Sequence, residues 1–315
     1  ANTDFDWFTF LAARQPLEEV NFWQPSAHGF NAPAGTPFFF RLKAPHNAIA
    51  GFGVFARYEA ATTKLAWEAF GEKNGAASYA AMLARIEQYA SAAGPAHRVG
   101  CIMVATPVFF AESDWVEQPR DWKRNVVSGA GYELNEGEGR RVLEECRARA
   151  AGVVLVPVAA EPRDPQAPRY GEAQLVRPRL GQGTCRVAVT GAYGGACAVT
   201  REHSLPVLEA AHIRPYGAEG EHSVANGLLL RADVHRLFDA GYVTVTPDRR
   251  FVVSRRLADE WENGKAYYAM EGREIAVLAS GGASSGSNFA SYSCRKYRSV
   301  LSTGLGAVWP RPHRL

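Results

Sequence analysis

Apolar positions change period along the chain, and the changes mark elements. Residues 36–42 and 49–58 are dense in aromatic and β-branched side chains and flank the turn Ala44-Pro45-His46-Asn47, a strand–turn–strand pattern. Residues 65–70 and 78–90 instead have helical spacing. In the second, Tyr79, Met82, Leu83, Ile86 and Tyr89 recur three and four apart, and Trp67 belongs to the core of the first. Residues 99–110 predict another strand and 138–150 a helix with a charged face. Further on, 184–189 predict a short helix, 196–200 and 207–212 paired short strands, and 233–239 a short helix. Residues 242–245 and 251–253 predict a hairpin through Pro247-Asp248.

A break separates the two series. Pro157, Pro162, Pro165, Pro168 and Pro178 crowd a stretch that cannot hold a regular element and reads as a linker. The organisation expected is α+β: a first domain over 1–156, a linker over 157–183, a second domain over 184–278, and a Gly/Ser-rich tail over 279–315 with little order. A chain of 315 residues accommodates two such domains, and no internal repeat is visible.

Composition narrows the class only modestly. The 47% hydrophobic and 21% charged content is ordinary for a globular protein. No apolar run approaches about 18 residues, so no membrane-spanning helix is expected. The acidic, aromatic start lacks the order of a secretory signal. Cys101, Cys146, Cys185, Cys197 and Cys294 are odd in number and none form C-x-x-C, which argues against a disulfide framework or zinc clip and for reduced thiols in a cytoplasm. Charge is uneven. Residues 1–160 carry 15 Lys and Arg against 17 Asp and Glu, whereas 161–315 carry 20 against 15. Arg dominates the basic side of the second half, and its planar fork suits phosphate, although a solvated surface accounts equally well for the excess.

The chemistry concentrates between residues 208 and 239. Hydrolysing a phosphodiester requires a base to activate water, a cation to stabilise charge on the leaving oxygen, and groups that orient both. His212 follows an apolar strand and precedes Ile213-Arg214-Pro215; its neutral imidazole can take a proton near neutral pH. His235 and Asp239 are four apart, so on a helix they share a face and can grip one metal. Asn226 lies between them and can pin the connecting loop. Arg214 and the lead-in residue Arg186 are candidate phosphate contacts. A lone histidine, or a lone His-x-x-x-Asp, means little. The joint set Ala-Ala-His-Ile-x-Pro, Asn-Gly-Leu-Leu-Leu-Arg and Asp-x-His-x-Leu-Phe-Asp-x-Gly within 34 residues is far rarer.

That set resembles the HNH nuclease family, in the variant whose first strand reads Glu-Ala-Ala-His-Ile, over about residues 179–257. The resemblance implies a ββα-metal site using one Mg²⁺ or Mn²⁺. His212 would be the general base, Asn226 the organising residue, His235 a metal ligand and Asp239 a second ligand. Many family members carry Asp or His before the base; here that position is Ala211. Glu209 is an outer-shell substitute, and Mg²⁺ tolerates a water-rich shell.

The first half presents Phe22-Trp23-Gln24-Pro25-Ser26, then a strand, a loop, and Ile49-Ala50-Gly51. This order looks like the PUA superfamily, especially its EVE and YTH branch, which implies a small curved β-barrel with flanking helices and a pocket for a flipped, modified base. Such a base needs stacking faces and polar groups for its Watson–Crick edge. Trp23, Phe55, Trp115 and Trp122 offer faces; Ser26, His46 and Asn47 offer hydrogen bonds. For each aromatic alone, core packing is the commoner role. Together the halves imply a modification-dependent DNA endonuclease of the type IV restriction kind, acting on double-stranded DNA as a homodimer, with no membrane association. Two other readings remain: an HNH nuclease reading phosphorothioate or unmodified DNA, and a nucleic-acid binding module with a decayed nuclease site.

Overall fold

The computed structural model describes residues 1–90, 93–123, 125–150, 181–213, 224–246 and 248–276. Most of the expected linker and all of the expected tail lie outside these residues. The chain divides into two compact units, Ala1–Val187 and Ala188–Leu315, and its architecture is mixed α+β.

The first unit is built on one sheet. Its elements are β1 (Asn2–Thr3), α1 (Phe5–Ala12), β2 (Glu19–Gln24), β3 (Pro37–Leu42), β4 (Ala48–Thr62), α2 (Thr63–Phe70), α3 (Tyr79–Glu87), β5 (Arg98–Phe109), β6 (Val116–Glu117) and α4 (Gly137–Ala150). The strand order is β1-β3-β4-β5-β2, with β6 also on β4; only β1 and β3 run parallel. The 15-residue β4 curls. Its register against β5 shifts between Phe52 and Val54 and again between Phe55 and Arg57, and such bulges bend a strand. Two glycines permit the close approach there. A Cβ on Gly51 would lie 2.3 Å from the Val108 carbonyl oxygen, and one on Gly53 would lie 2.4 Å from Val104 Cγ1.

Both faces of this sheet are covered. Val99, Cys101 and Met103 of β5 pack with Leu65, Phe70, Met82 and Ile86 from α2 and α3. The alternate residues Ile102 and Val104 pack with Trp7, Phe8 and Leu11 of α1, and with Phe38, Phe40 and Phe55. Burial on two faces explains why β5 reads as an unbroken apolar run. A third cluster joins Ile49, Val108 and Val116 to Val142, Cys146 and Ala150 of α4. Helix α2 is capped by the Thr62 hydroxyl and α3 by the Ser78 hydroxyl, each accepting a backbone N–H three residues on.

Helix α5 (Gln182–Ala192) begins in the first unit and ends in the second. The second unit continues with β7 (Leu208–His212), β8 (Gly227–Arg231), α6 (Ala232–Asp239), β9 (Val243–Val245), β10 (Phe251–Val253), α7 (Arg256–Trp261) and α8 (Lys265–Tyr268). The expected β9–β10 hairpin forms. The expected pairing of 196–200 with 207–212 does not: β7 pairs with β8 instead. Positive φ at Gly194, Gly195 and Arg201 turns the chain on both sides of 196–200, and the segment is tied to β8 by the Ala198 N–H donating to the Leu229 carbonyl at 2.7 Å and the Arg231 N–H donating to Cys197 Sγ at 3.3 Å.

Candidate active site

Strands β7 and β8 are antiparallel in the register Leu208↔Arg231 through His212↔Gly227. Beyond His212 the backbone N–H of Ile213 donates to the Asn226 carbonyl at 2.8 Å, so Asn226 closes the ladder at the strand end that carries the histidine. Helix α6 follows β8 without a gap. Its buried Val234 and Phe238 are four apart and face the core, which sets His235 and Asp239 side by side on the neighbouring stripe. The start of α6 is braced by Arg231, whose Nε and Nη2 donate to the two oxygens of Asp233 at 2.7 Å each; the Tyr267 hydroxyl adds a third hydrogen bond at 3.2 Å. The Arg231 hydrogen bond holds the Asp233 carboxyl below the usual carboxylate range.

His235 stands between two carboxylates. Its Nδ1 lies 2.7 Å from Glu209 Oε2 on β7, and its Nε2 lies 3.2 Å from Asp239 Oδ2 one turn along α6. The histidine side chain is 20% exposed and Asp239 62%, so the helix-side carboxylate opens to solvent while the imidazole is sheltered. Ala211, on the same strand face as Glu209, is buried and offers no donor atom. Among the described residues no three His, Cys, Asp or Glu side chains form a ready metal cage. A nitrogen and carboxylate oxygens nevertheless suit Mg²⁺ or Mn²⁺, which keep several waters and need few protein groups. His235 with Asp239 are the residues that could hold such an ion.

The structure thus brings His235 and Asp239 together, places His212 at the end of the adjoining strand and sets Asn226 beside it. Arg214 lies outside the described residues. Arg186, in the first unit, is paired with Glu68 at 3.3 Å.

In the first unit, four of the seven expected base-pocket residues gather around the β3–β4 turn. His46 meets the edge of Trp115 at 5.3 Å and stacks on Phe5 at 4.4 Å. Asn47, at φ 48, accepts a hydrogen bond from Arg41, and the Arg41 guanidinium lies over the Trp122 ring at 4.6 Å. The other three lie apart from this cluster. Phe55 is a buried core residue against Phe30 and presents no face to solvent. Trp23 packs on the α2–α3 core and donates its indole N–H to the Asn74 carbonyl at 3.1 Å, and Ser26 follows β2. Sequence reasoning missed Phe5 and Arg41; the signal for the latter was a charged residue inside the run Phe38-Phe39-Phe40-Arg41-Leu42.

Two paired strands are thus followed directly by a helix, with His212 on the first strand and His235 on the helix. A family model described as HNH endonuclease matches residues 197–246, which hold β7, β8, α6 and β9. These residues form an HNH endonuclease domain, which points to DNA endonuclease activity. No curated protein matches the chain. Among the described residues no helix is long and apolar enough to cross a membrane.

Proposed function

We propose that the protein is a modification-dependent DNA endonuclease. The observation that carries the nuclease reading is the HNH match laid over a strand–strand–helix segment that sets His235 beside Asp239. His212 takes a proton from the attacking water, whose oxygen forms the new bond to phosphorus as the bond to the 3′ oxygen breaks, and the departing 3′ oxygen takes a proton from solvent. The products carry 5′-phosphate and 3′-hydroxyl ends. A divalent ion on His235 and Asp239 would supply charge stabilisation at the leaving oxygen. Asn226 holds the two strand ends together, and Arg214 contacts phosphate.

The first unit supplies target choice, because phosphate contacts alone carry no sequence information. The cluster around the β3–β4 turn supports a reader there. Trp115 and Trp122 are part-exposed stacking faces, and His46 and Asn47 supply hydrogen-bonding atoms beside them. Cutting both strands promptly calls for two active sites, hence a homodimer on DNA.

The test is a digestion panel with Mn²⁺ on three DNAs of one sequence, unmodified, 5-methylcytosine-containing and 5-hydroxymethylcytosine-containing. Cutting confined to a modified DNA supports the proposal. Equal cutting of all three removes the reader, and binding without cutting, in this panel and in a parallel one with Mg²⁺, removes the nuclease.

A further inference from the structure

His235 has a carboxylate on each ring nitrogen, and the two contacts differ in kind. The Glu209 contact, 2.7 Å to Nδ1, is the length of a charge-assisted hydrogen bond. The Asp239 contact, 3.2 Å from Nε2, is near the separation of two neighbouring ligands on one ion, about 3 Å when each bond is about 2.1 Å and they meet at a right angle. A ring nitrogen can bind a cation only when it carries no proton. Whatever fixes the proton on one nitrogen therefore decides which nitrogen is free.

We propose that Glu209 is the positioning residue of this site: it accepts the Nδ1 proton of His235 in a hydrogen bond, so that the Nε2 lone pair faces Asp239 and those two atoms hold the ion. The inference rests on the nuclease reading above. Three observations carry it. Glu209 lies on β7, whose pairing to β8 fixes its height against α6 independently of any metal. Ala211, the residue two further along on the same strand face, has no polar atom and cannot take this role or a ligand's. Asp239 is the more exposed carboxylate, at 62% against 45% for Glu209, and lies on the side where substrate and water can complete a coordination shell.

The test uses the full chain with Glu209→Ala, Glu209→Gln and Asp239→Ala, and two readouts that need no cleavage. One is the His235 tautomer in the metal-free protein, from ¹⁵N chemical shifts of the imidazole. The other is Mn²⁺ affinity by calorimetry or by electron paramagnetic resonance. The wild type is expected to show the Nδ1–H tautomer. Glu209→Ala should lose it and weaken Mn²⁺ binding about 10- to 100-fold, as removal of an outer-shell partner does. Glu209→Gln keeps a carbonyl oxygen that can accept the same N–H, so it should restore the tautomer and most of the affinity. A wild-type tautomer or affinity in Glu209→Ala overturns the proposal. So does a loss in Glu209→Gln as deep as in Asp239→Ala, which would make Glu209 a direct ligand. In either case DNA cutting by the wild type leaves the nuclease reading standing. Absence of both Mn²⁺ binding and cutting in the wild type removes both.

Discussion

Glu19 and Thr184, 165 residues apart in the chain, are joined by hydrogen bonds: the Thr184 backbone N–H donates to Glu19 Oε2 at 3.2 Å, and its hydroxyl donates to the same oxygen. Gly183 N–H donates to the other oxygen at 2.9 Å, and Lys73 Nζ lies 3.6 Å away. Glu19 therefore caps the first turn of α5 from a distant strand, satisfying backbone donors that a helix start leaves unpaired and placing negative charge at its positive end.

Glu19→Ala should be destabilising. The side chain is 1% exposed, so its loss strands two backbone N–H groups and leaves Lys73 without its carboxylate. The expected cost is about 2–4 kcal/mol. Glu19→Gln keeps one accepting oxygen and should cost about half as much. Urea unfolding followed by tryptophan fluorescence of the first unit measures both. A Glu19→Ala midpoint equal to wild type would show that the cap contributes nothing.

The two ends of the aromatic cluster in the first unit should respond very unequally to truncation. Phe40 is fully buried and stacks on Phe109 at 5.2 Å with the rings 8° from parallel. Phe40→Ala should cost about 3–5 kcal/mol through lost burial and a cavity. Phe5 is 42% exposed and stacks on His46 at the surface, so Phe5→Ala should cost under about 1 kcal/mol. In the base-reading proposal, however, Phe5→Ala should weaken binding of modified DNA. A Phe5→Ala protein with wild-type affinity for modified DNA would place the reading surface elsewhere.

Some of this was legible in the sequence and some was not. Strands β3 and β4 and helices α2 and α3 announced themselves because each buries a pattern set by its own neighbours. Strand β2 did not. Glu19 and Asn21 look like solvent positions, yet both are buried, with partners at Gly183, Thr184 and Asn74, all far along the chain. For the same reason residue type could not sort the aromatics: Phe55 fills the core while Trp115 and Trp122 stay part-exposed, and only long-range packing decides. The placement of His212, Asn226, His235 and Asp239 was legible because their spacing is local: His212 ends β7, Asn226 immediately precedes β8, and His235 and Asp239 share a face of the helix that follows.

The brace at the start of α6 has a pH signature. Arg231 lowers the Asp233 carboxyl pKa in the folded protein below the ordinary value of 3.8. A lowered folded-state pKa gives stability that is fully present above the unfolded pKa and is lost as pH falls through the folded one. The stability difference between wild type and Asp233→Asn should thus be constant from about pH 5 to pH 8 and shrink below about pH 4. Urea midpoints across that range test it. A difference that instead grows on acidification would contradict the ion pair.

His212→Ala and Asp239→Ala should separate chemistry from metal binding. Loss of the proton acceptor at His212 is expected to lower the cleavage rate about 10²- to 10⁴-fold while Mn²⁺ affinity stays close to wild type, since His212 is not among the proposed ligands. Asp239→Ala removes a ligand, so it should weaken Mn²⁺ binding, and raising the Mn²⁺ concentration should recover part of its activity. Single-turnover cleavage across a Mn²⁺ titration distinguishes the two. Recovery of His212→Ala by added Mn²⁺ would move that histidine from base to ligand, and full activity in His212→Ala at ordinary Mn²⁺ would remove it from the reaction altogether.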